Sequence, residues 1–413
     1  LGIGRDAVRR GGARRGTGLA GIMVIGGGIA GTAAALALHK AGREVAVYEA
    51  HPDTGEDIGA FLTLASNGMR ALAQFDAGAL VAGLGFPVTG MNVLDGSGAE
   101  LVAMPLGEYD HPPTRYRCLR RAELGAALQA EVRRRGIPIR HAARLSTVTE
   151  SATGTTVTFA DGSSATGDLV VGADGLHSTV RSQLDPASPG PEYAGQHVYY
   201  GYTTDAAPPA DEPDRITMIQ GSGAAFGYLV SPAGETFWFA RVPGPALTAG
   251  EIGGTTPAQW RERLVPVLRP DRTPAADIVA ATDGSLMATN ALHLSPGARW
   301  HSRRVVLIGD AAHAASPATG QGASMALEDA VVLAKALRDA DTPAEALDRY
   351  ELHRRPRVER NITVSARLTA SRSAGRTGGT GGPDTQDSER PVSAVDEDLL
   401  RVLDWGTELP RRP

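Results

Sequence analysis

The sequence predicts an α/β fold: a Rossmann-like, parallel-sheet nucleotide-binding domain, interrupted by an inserted antiparallel-sheet domain and closed by C-terminal helices. Three observations predict it. A glycine-patterned turn, "GGGIAG", stands directly between an apolar run and a helical one. Three continuous apolar runs, in "EVAVYEA", "DLVVGADG" and "RVVLIGDAAH", each stop at an acidic residue, as strands buried on both faces do when a ligand sits at their carboxyl ends. Between the second and third lie "HVYYGYTT", "RITMIQG", "AFGYLVS" and "TFWFARVP", rich in aromatic and β-branched residues and read as strands of a separate sheet.

Residues 1–18 place Arg5, Arg9, Arg10, Arg14 and Arg15 among glycines and are expected to be a disordered extension. Followed by the apolar stretch to Leu38, they imitate an export signal. Gly26, Gly27, Gly28 and Gly31 argue against it, each costing a membrane-inserting helix roughly 1 kcal/mol relative to alanine. Leu19 to Ile25 reads instead as a buried strand, Thr32 to Lys40 as a helix ended by Gly42, and Glu44 to Tyr48 as a second strand ending at Glu49. In such a turn Gly26 permits the tight bend, Gly28 lets backbone approach a pyrophosphate, and Gly31 lets helix and strand pack. Glu49 is placed to accept both hydroxyls of a ribose. The same spacing in "GTGLAG" has no strand before it and is set aside.

The second apolar run, Asp168 to Val171, leads into Asp174 and Gly175, and the third, Val305 to Ile308, into Gly309 and Asp310. Singly, either aspartate reads more readily as a turn or helix cap; three acids at one sheet edge read as a binding site. Pro317, Gly320 and Gly322 form a loop before a helix carrying Ala326, Ala330, Leu333 and Leu337 on one face, whose N-terminus suits negative charge. Thr342-Pro343-Ala344-Glu345 is a capping box that starts another helix. A flexible linker is expected over 369–392, and "LLRVLDWGTELP" is expected to pack back as a short helix within 393–413.

With 413 residues, 42% hydrophobic, the chain can bury two or three packed units. A net charge of −5 without an aromatic-laced basic patch points to a small-molecule partner rather than nucleic acid. Cys118 is the only cysteine, which excludes an intrachain disulfide and a cysteine metal site; no metal is expected, and a reducing cytoplasm fits. No uncharged apolar run of about 18 residues suggests a membrane span.

Together "GGGIAG" with Glu49, "GADGLHSTVR", "GDAAH", "RRAEL" and "YELHRRPRV" resemble the group A flavoprotein monooxygenases, the family of para-hydroxybenzoate, salicylate and urate hydroxylases, over about residues 20–368. The resemblance implies bound FAD on Gly26, Gly28, Gly31 and Glu49. Asp174 and Gly175 would lie near the pyrophosphate and the nicotinamide route, Asp310 on the ribityl chain, and the Gly320 to Gly322 backbone near the pyrimidine ring. Arg121 takes the flavin-contacting arginine position, with neighbouring Arg120 the alternative register. Ser324 and Ser66 depart from the family's frequent asparagine and proline.

It also implies that NAD(P)H, bound transiently, reduces FAD, and that O2 adds at flavin C4a to form the hydroperoxide that oxygenates an electron-rich aromatic or polyketide-like molecule. No catalytic side chain is assigned, and His313 reads as packed behind its turn. The FAD-binding domain would comprise 19–85, 114–185 and 289–368, and the substrate domain 86–113, including the hairpin "GMNVLDGSGAELVAMPL", with 186–288. A non-oxygenating flavin homologue acting as cyclase, isomerase or carrier is the alternative, ahead of an NAD-dependent dehydrogenase. A flavin halogenase is rejected because Lys40 and Lys335, the only lysines, are badly placed for its active site.

Overall fold

The structure is a computed structural model describing residues 21–54, 60–206, 214–284, 286–373 and 393–411. The expected extension at 1–18 and most of the expected linker at 369–392 lie outside the described residues.

The described chain opens with β1 (Gly21–Ile25), α1 (Ile29–Lys40) and β2 (Glu44–Tyr48). Helix α1 begins earlier than the glycine pattern suggests. Gly31 falls inside its first turn, where the missing Cβ lets it press on Gly26: a methyl there would stand 1.9 Å from the Gly26 carbonyl oxygen. The helix ends as expected at Gly42, whose φ of 77° allows its N–H to reach the His39 carbonyl (2.9 Å) and that of Arg43 the Leu38 carbonyl (3.0 Å).

Next come β3 (Phe61–Leu64), α2 (Ser66–Gln74), α3 (Gly78–Ala82), β4 (Phe86–Val88), the hairpin β5 (Gly90–Asp95) and β6 (Glu100–Pro105), and β7 (Tyr116–Arg120). Helix α4 (Arg121–Arg134) then leads to β8 (Ile139–Arg140), β9 (Leu145–Glu150), β10 (Thr155–Phe159), β11 (Ser164–Gly167), β12 (Leu169–Gly172) and α5 (Thr179–Leu184). The aromatic runs form β13 (Glu192–Thr203), β14 (Arg215–Gln220), β15 (Ala225–Val230) and β16 (Thr236–Pro243), followed by α6 (Ala249–Gly254), α7 (Pro257–Leu268), α8 (Ala275–Ala280) and β17 (Met287–His293). The chain closes with β18 (Val305–Leu307), α9 (Asp310–His313), α10 (Gly322–Asp339), α11 (Pro343–Ser373) and α12 (Glu397–Leu403).

The strands form a five-stranded parallel sheet in the order β18-β12-β1-β2-β8, a seven-stranded sheet β17-β13-β16-β15-β14-β5-β6, and two three-stranded sheets, β3-β7-β4 and β11-β10-β9. The seven-stranded sheet departs from a purely antiparallel arrangement at one seam, where β14 runs parallel to β5. The hairpin reaches the sheet from a distant part of the chain, so no turn dictates the direction of that pairing. Two pairings span the expected domain boundaries: β4 joins β7 rather than the large sheet, and β17, straddling 289, pairs with β13.

The alternation of β13 and β16 sorts side chains onto two faces. Tyr199 and Trp238 pack outward under Trp260 and Leu264 of α7, whereas Tyr202 and Phe237 face inward on Phe61 and Phe86. At the other end, Trp405 lies 5.2 Å from the Lys40 amine. The Lys335 amine donates to the carbonyls of Val402 (2.7 Å) and Asp404 (2.6 Å), which draws the C-terminal segment against α10.

Candidate active site

Parallel register aligns Ile25, Tyr48, Gly172 and Leu307 at the carboxyl edge of the five-stranded sheet. The turns that follow carry Glu49, Asp174 and Asp310, so the three acid-bearing loops converge on one edge. Their carboxylates do different work. Glu49 accepts from the backbone N–H groups of Gly27 (2.5 Å) and His51 (2.6 Å), which pins the glycine turn. Asp174 accepts from Ser178 Oγ (2.5 Å), Thr179 N (2.8 Å) and Val180 N (3.1 Å), the arrangement of a residue closing the start of α5. Burial pushes its carboxyl above the usual range, against those hydrogen bonds. The Asp310 side chain has no hydrogen-bond partner among the described residues. It faces Gly322, whose missing Cβ would be 3.9 Å away.

Gly26 has φ 107°, and a Cβ on it would stand 2.3 Å from the Ala173 carbonyl oxygen; Gly28 faces nothing within 4 Å. Two glycines are thus held by packing and the middle one fronts open space. Helices α1 and α10 both begin without a side-chain cap and without an acid in the first turn, whereas α6 and α7 start with complete capping boxes. Uncapped N–H groups beside an open glycine suit phosphate. Gly320, with φ 64°, turns the loop into α10. A free carboxylate, a glycine cradle and open N–H groups fit FAD.

Neighbouring arginines separate cleanly. Arg120 donates to both Glu235 oxygens (2.7 and 2.8 Å) and lies 4.1 Å over the Tyr202 ring. Arg121 is exposed at the start of α4, without a hydrogen-bond partner for its side chain among the described residues. The two family departures sit together: Ser324 Oγ accepts from Ala65 N (3.2 Å) and Ser66 Oγ from Glu108 N (3.0 Å). His313 is packed, with Nε2 2.6 Å from Asp329 and its ring 5.5 Å from Trp300.

Sequence reasoning missed a buried ionic network behind the cradle. Asp329 accepts from Gly309 N (2.8 Å) and Arg354 Nε (2.7 Å). Glu328 accepts from Arg354 Nη1 (2.5 Å), Arg357 Nε (2.8 Å) and Asn67 Nδ2 (2.7 Å), while the same amide donates to Gln321 (3.1 Å). Burial disfavours both carboxylates, but Arg354 with Arg357 at Glu328, and His313 with Arg354 at Asp329, outweigh it and hold them below their usual range. The available signal was two adjacent acids inside the otherwise apolar "ASMALEDAVVLAKAL", with arginines paired in "HRRPR".

Two uncapped helix N-termini and an open glycine turn at the carboxyl edge of a parallel sheet define a dinucleotide-binding protein. Residues 20–365 match the family described as FAD binding domain, and the chain belongs to that family and, within it, to the group A flavin-dependent monooxygenases. Aurachin C monooxygenase/isomerase of Stigmatella aurantiaca is 32% identical over 359 residues, spanning 84% of this chain and 88% of that protein. A 3-amino-4-hydroxybenzoate 2-monooxygenase of Streptomyces platensis is 33% identical over 82% of this chain and 84% of its own length. The structure of Klebsiella pneumoniae HpxO with FAD and uric acid superposes with a TM-score of 0.78 at 30% identity, covering 87% of this chain and 90% of that one.

Among the described residues no helix is long and apolar enough to cross a membrane.

Proposed function

We propose that this FAD-dependent, NAD(P)H- and O2-consuming monooxygenase inserts one oxygen atom into an electron-rich aromatic or polyketide-like small molecule. The observation that carries the reading is the aromatic inner wall of the seven-stranded sheet, which meets the glycine cradle through β3: Phe61 touches the wall and Thr63 neighbours Gly320. Bound FAD supplies the electron transfer and oxygen activation; the chain supplies place, orientation and dryness.

In this reading Gly26, Gly28 and Gly31 bring the start of α1 to the pyrophosphate. Glu49 keeps lone pairs for the adenosine ribose while holding the turn, and Asp310 takes the ribityl hydroxyls. Gly320, whose N–H closes a turn on the Pro317 carbonyl, would shape the loop beside the pyrimidine edge, and Gly322 would offer it the first backbone N–H of α10, where the helix dipole favours negative charge. Arg121 faces the flavin. Asp174 and Gly175 act by shaping the turn beside the pyrophosphate, since the Asp174 carboxylate is spent on α5. The FAD-binding unit is then built on the parallel sheet with α10 and α11, and the substrate unit on the seven-stranded sheet with α6 to α8. The small molecules named for its relatives, and the single buried cysteine, support a cytoplasmic enzyme of small-molecule metabolism.

The test is to purify the protein, record its visible spectrum, and follow NAD(P)H and O2 consumption with phenols, fused aromatics and polyketide-like compounds. Flavin absorption with consumption stimulated by one compound, and an oxygenated product, is the expected result. A protein that takes up no FAD would overturn the reading; a yellow protein inert with every compound would transfer it to the non-oxygenating alternative.

A further inference from the structure

We infer that Asn67 is a positioning residue for the flavin: by holding the Gln321 amide, it keeps the N-terminus of α10 open to the negative charge that reduction places on the pyrimidine ring. The inference rests on the FAD reading of the site and adds to it a residue that acts through another.

Among the four residues that open α10, Gln321, Gly322, Ala323 and Ser324, only Gln321 and Ser324 carry side chains able to accept from the helix's own free N–H groups. Both are drawn away by the start of α2. Ser324 Oγ accepts from Ala65 N (3.2 Å), an approach that Gly68 permits, since a Cβ on it would stand 2.7 Å from that oxygen. Gln321 Oε1 accepts from Asn67 Nδ2 (3.1 Å), and the other end of the same amide meets the Tyr116 hydroxyl. The helix accordingly starts without a side-chain cap.

The direction of the Asn67 amide is fixed from behind. Its Nδ2 also donates to Glu328 Oε1 (2.7 Å), and Glu328, held ionised by Arg354 and Arg357, can only accept. Turned the other way, Asn67 would set its carbonyl oxygen against that carboxylate. With both amide hydrogens spent, Asn67 Oδ1 is left buried without a hydrogen-bond partner among the described residues. Such orphans are rare in folded proteins, and this one follows from keeping both hydrogens in place. Asn67 and Glu328 are fully buried and Gln321 is 4% exposed, so water does not compete for these bonds. Released, the Gln321 carbonyl becomes an acceptor within one turn of α10 and competes with the flavin for the same N–H groups.

The test measures the midpoint potential of bound FAD, by slow reduction against a reference dye, in the parent, in Asn67→Leu and in Asn67→Leu combined with Gln321→Met. Asn67→Leu should weaken the binding of reduced FAD about tenfold relative to oxidised FAD, a fall of about 30 mV for a two-electron couple. Gln321→Met, which keeps the length of the side chain and removes its acceptor, should return most of that fall in the double variant. A side chain that only packs gives no such rescue. Asn67→Ser should move the potential in the same direction, because one hydroxyl hydrogen cannot serve both Glu328 and Gln321. An unchanged potential in both single variants, a fall that Gln321→Met does not reverse, or failure of both single variants to fold or to retain FAD would overturn the inference while leaving the monooxygenase reading standing. A parent enzyme that takes up no FAD would instead remove that reading and the inference with it.

Discussion

Arg354 on α11 donates Nε to Asp329 on α10 across 2.7 Å, with at most 1% of either side chain exposed, and the same carboxylate holds the backbone of Gly309. The arginine therefore stands behind the loop that presents Asp310. Arg354→Leu strips Glu328 and Asp329 of their principal buried counter-charge and should destabilise the fold by about 3–5 kcal/mol. Urea unfolding of the variant and the parent checks this. A loss below about 1 kcal/mol would mean that Arg357 and His313 suffice.

Two glycines of one turn should fail differently. Gly28→Ala adds a methyl to open space and should leave the melting temperature nearly unchanged while abolishing FAD uptake. Gly31→Ala drives a methyl into the Gly26 carbonyl and should lower the melting temperature even without cofactor. Thermal melts of the apoprotein, with flavin absorbance after reconstitution, separate the two.

The two aspartates should split the same way. Asp174→Ala removes the side chain that closes the start of α5 and should cost about 0.5–2 kcal/mol. Asp310→Ala breaks no hydrogen bond among the described residues and should spare stability while weakening FAD binding. Fluorescence titration of the apoprotein with FAD, beside urea unfolding, measures both.

His301 is held above its ordinary 6.5 by Glu351, 3.2 Å away, with burial opposing; Glu351 is in turn held below its ordinary 4.5. A raised histidine contributes stability fully below pH 6.5 and loses it as pH rises through the folded value. A depressed glutamate contributes fully above pH 4.5 and loses it on acidification. The pair should thus be worth most between pH 4.5 and 6.5, at about 1 kcal/mol or less because the site is partly solvated. The stability gap between parent and His301→Gln, followed from pH 5 to pH 9, should shrink above pH 6.5; a flat gap would discard the pair.

What the sequence disclosed followed from local rules. Gly42 ends α1 and Glu44 to Tyr48 is a strand because both depend on neighbours within a few residues. The capping box at Thr342 shows the limit. Thr342 Oγ1 does accept from Glu345 N (3.2 Å), yet the Glu345 carboxylate reaches back to Asp341 N (3.2 Å), one residue beyond the position the motif specifies. Long-range relations were not legible. Nothing near Asn67 announces Gln321 or Glu328, and nothing in "RITMIQG" announces a parallel neighbour. The Asp174 carboxylate, grouped with Glu49 and Asp310 by the strand pattern, closes its own helix because Ser178 and Val180 lie within its reach.

The parallel seam between β5 and β14 bears on how the chain acquires its shape. Arg215 Nε bonds Asn92 Oδ1 at 2.7 Å across a separation of 123 positions, so the hairpin at 90–105 has no sheet to join until β14 has been made. During synthesis its edge must wait beyond the ribosome, unpaired, while the parallel sheet gathers strands on either side of it. Such non-local closure is slow, and waiting edges are where chains stick to one another. Recovery of this enzyme from denaturant should therefore depend steeply on protein concentration, with the aromatic wall the last part to become watertight.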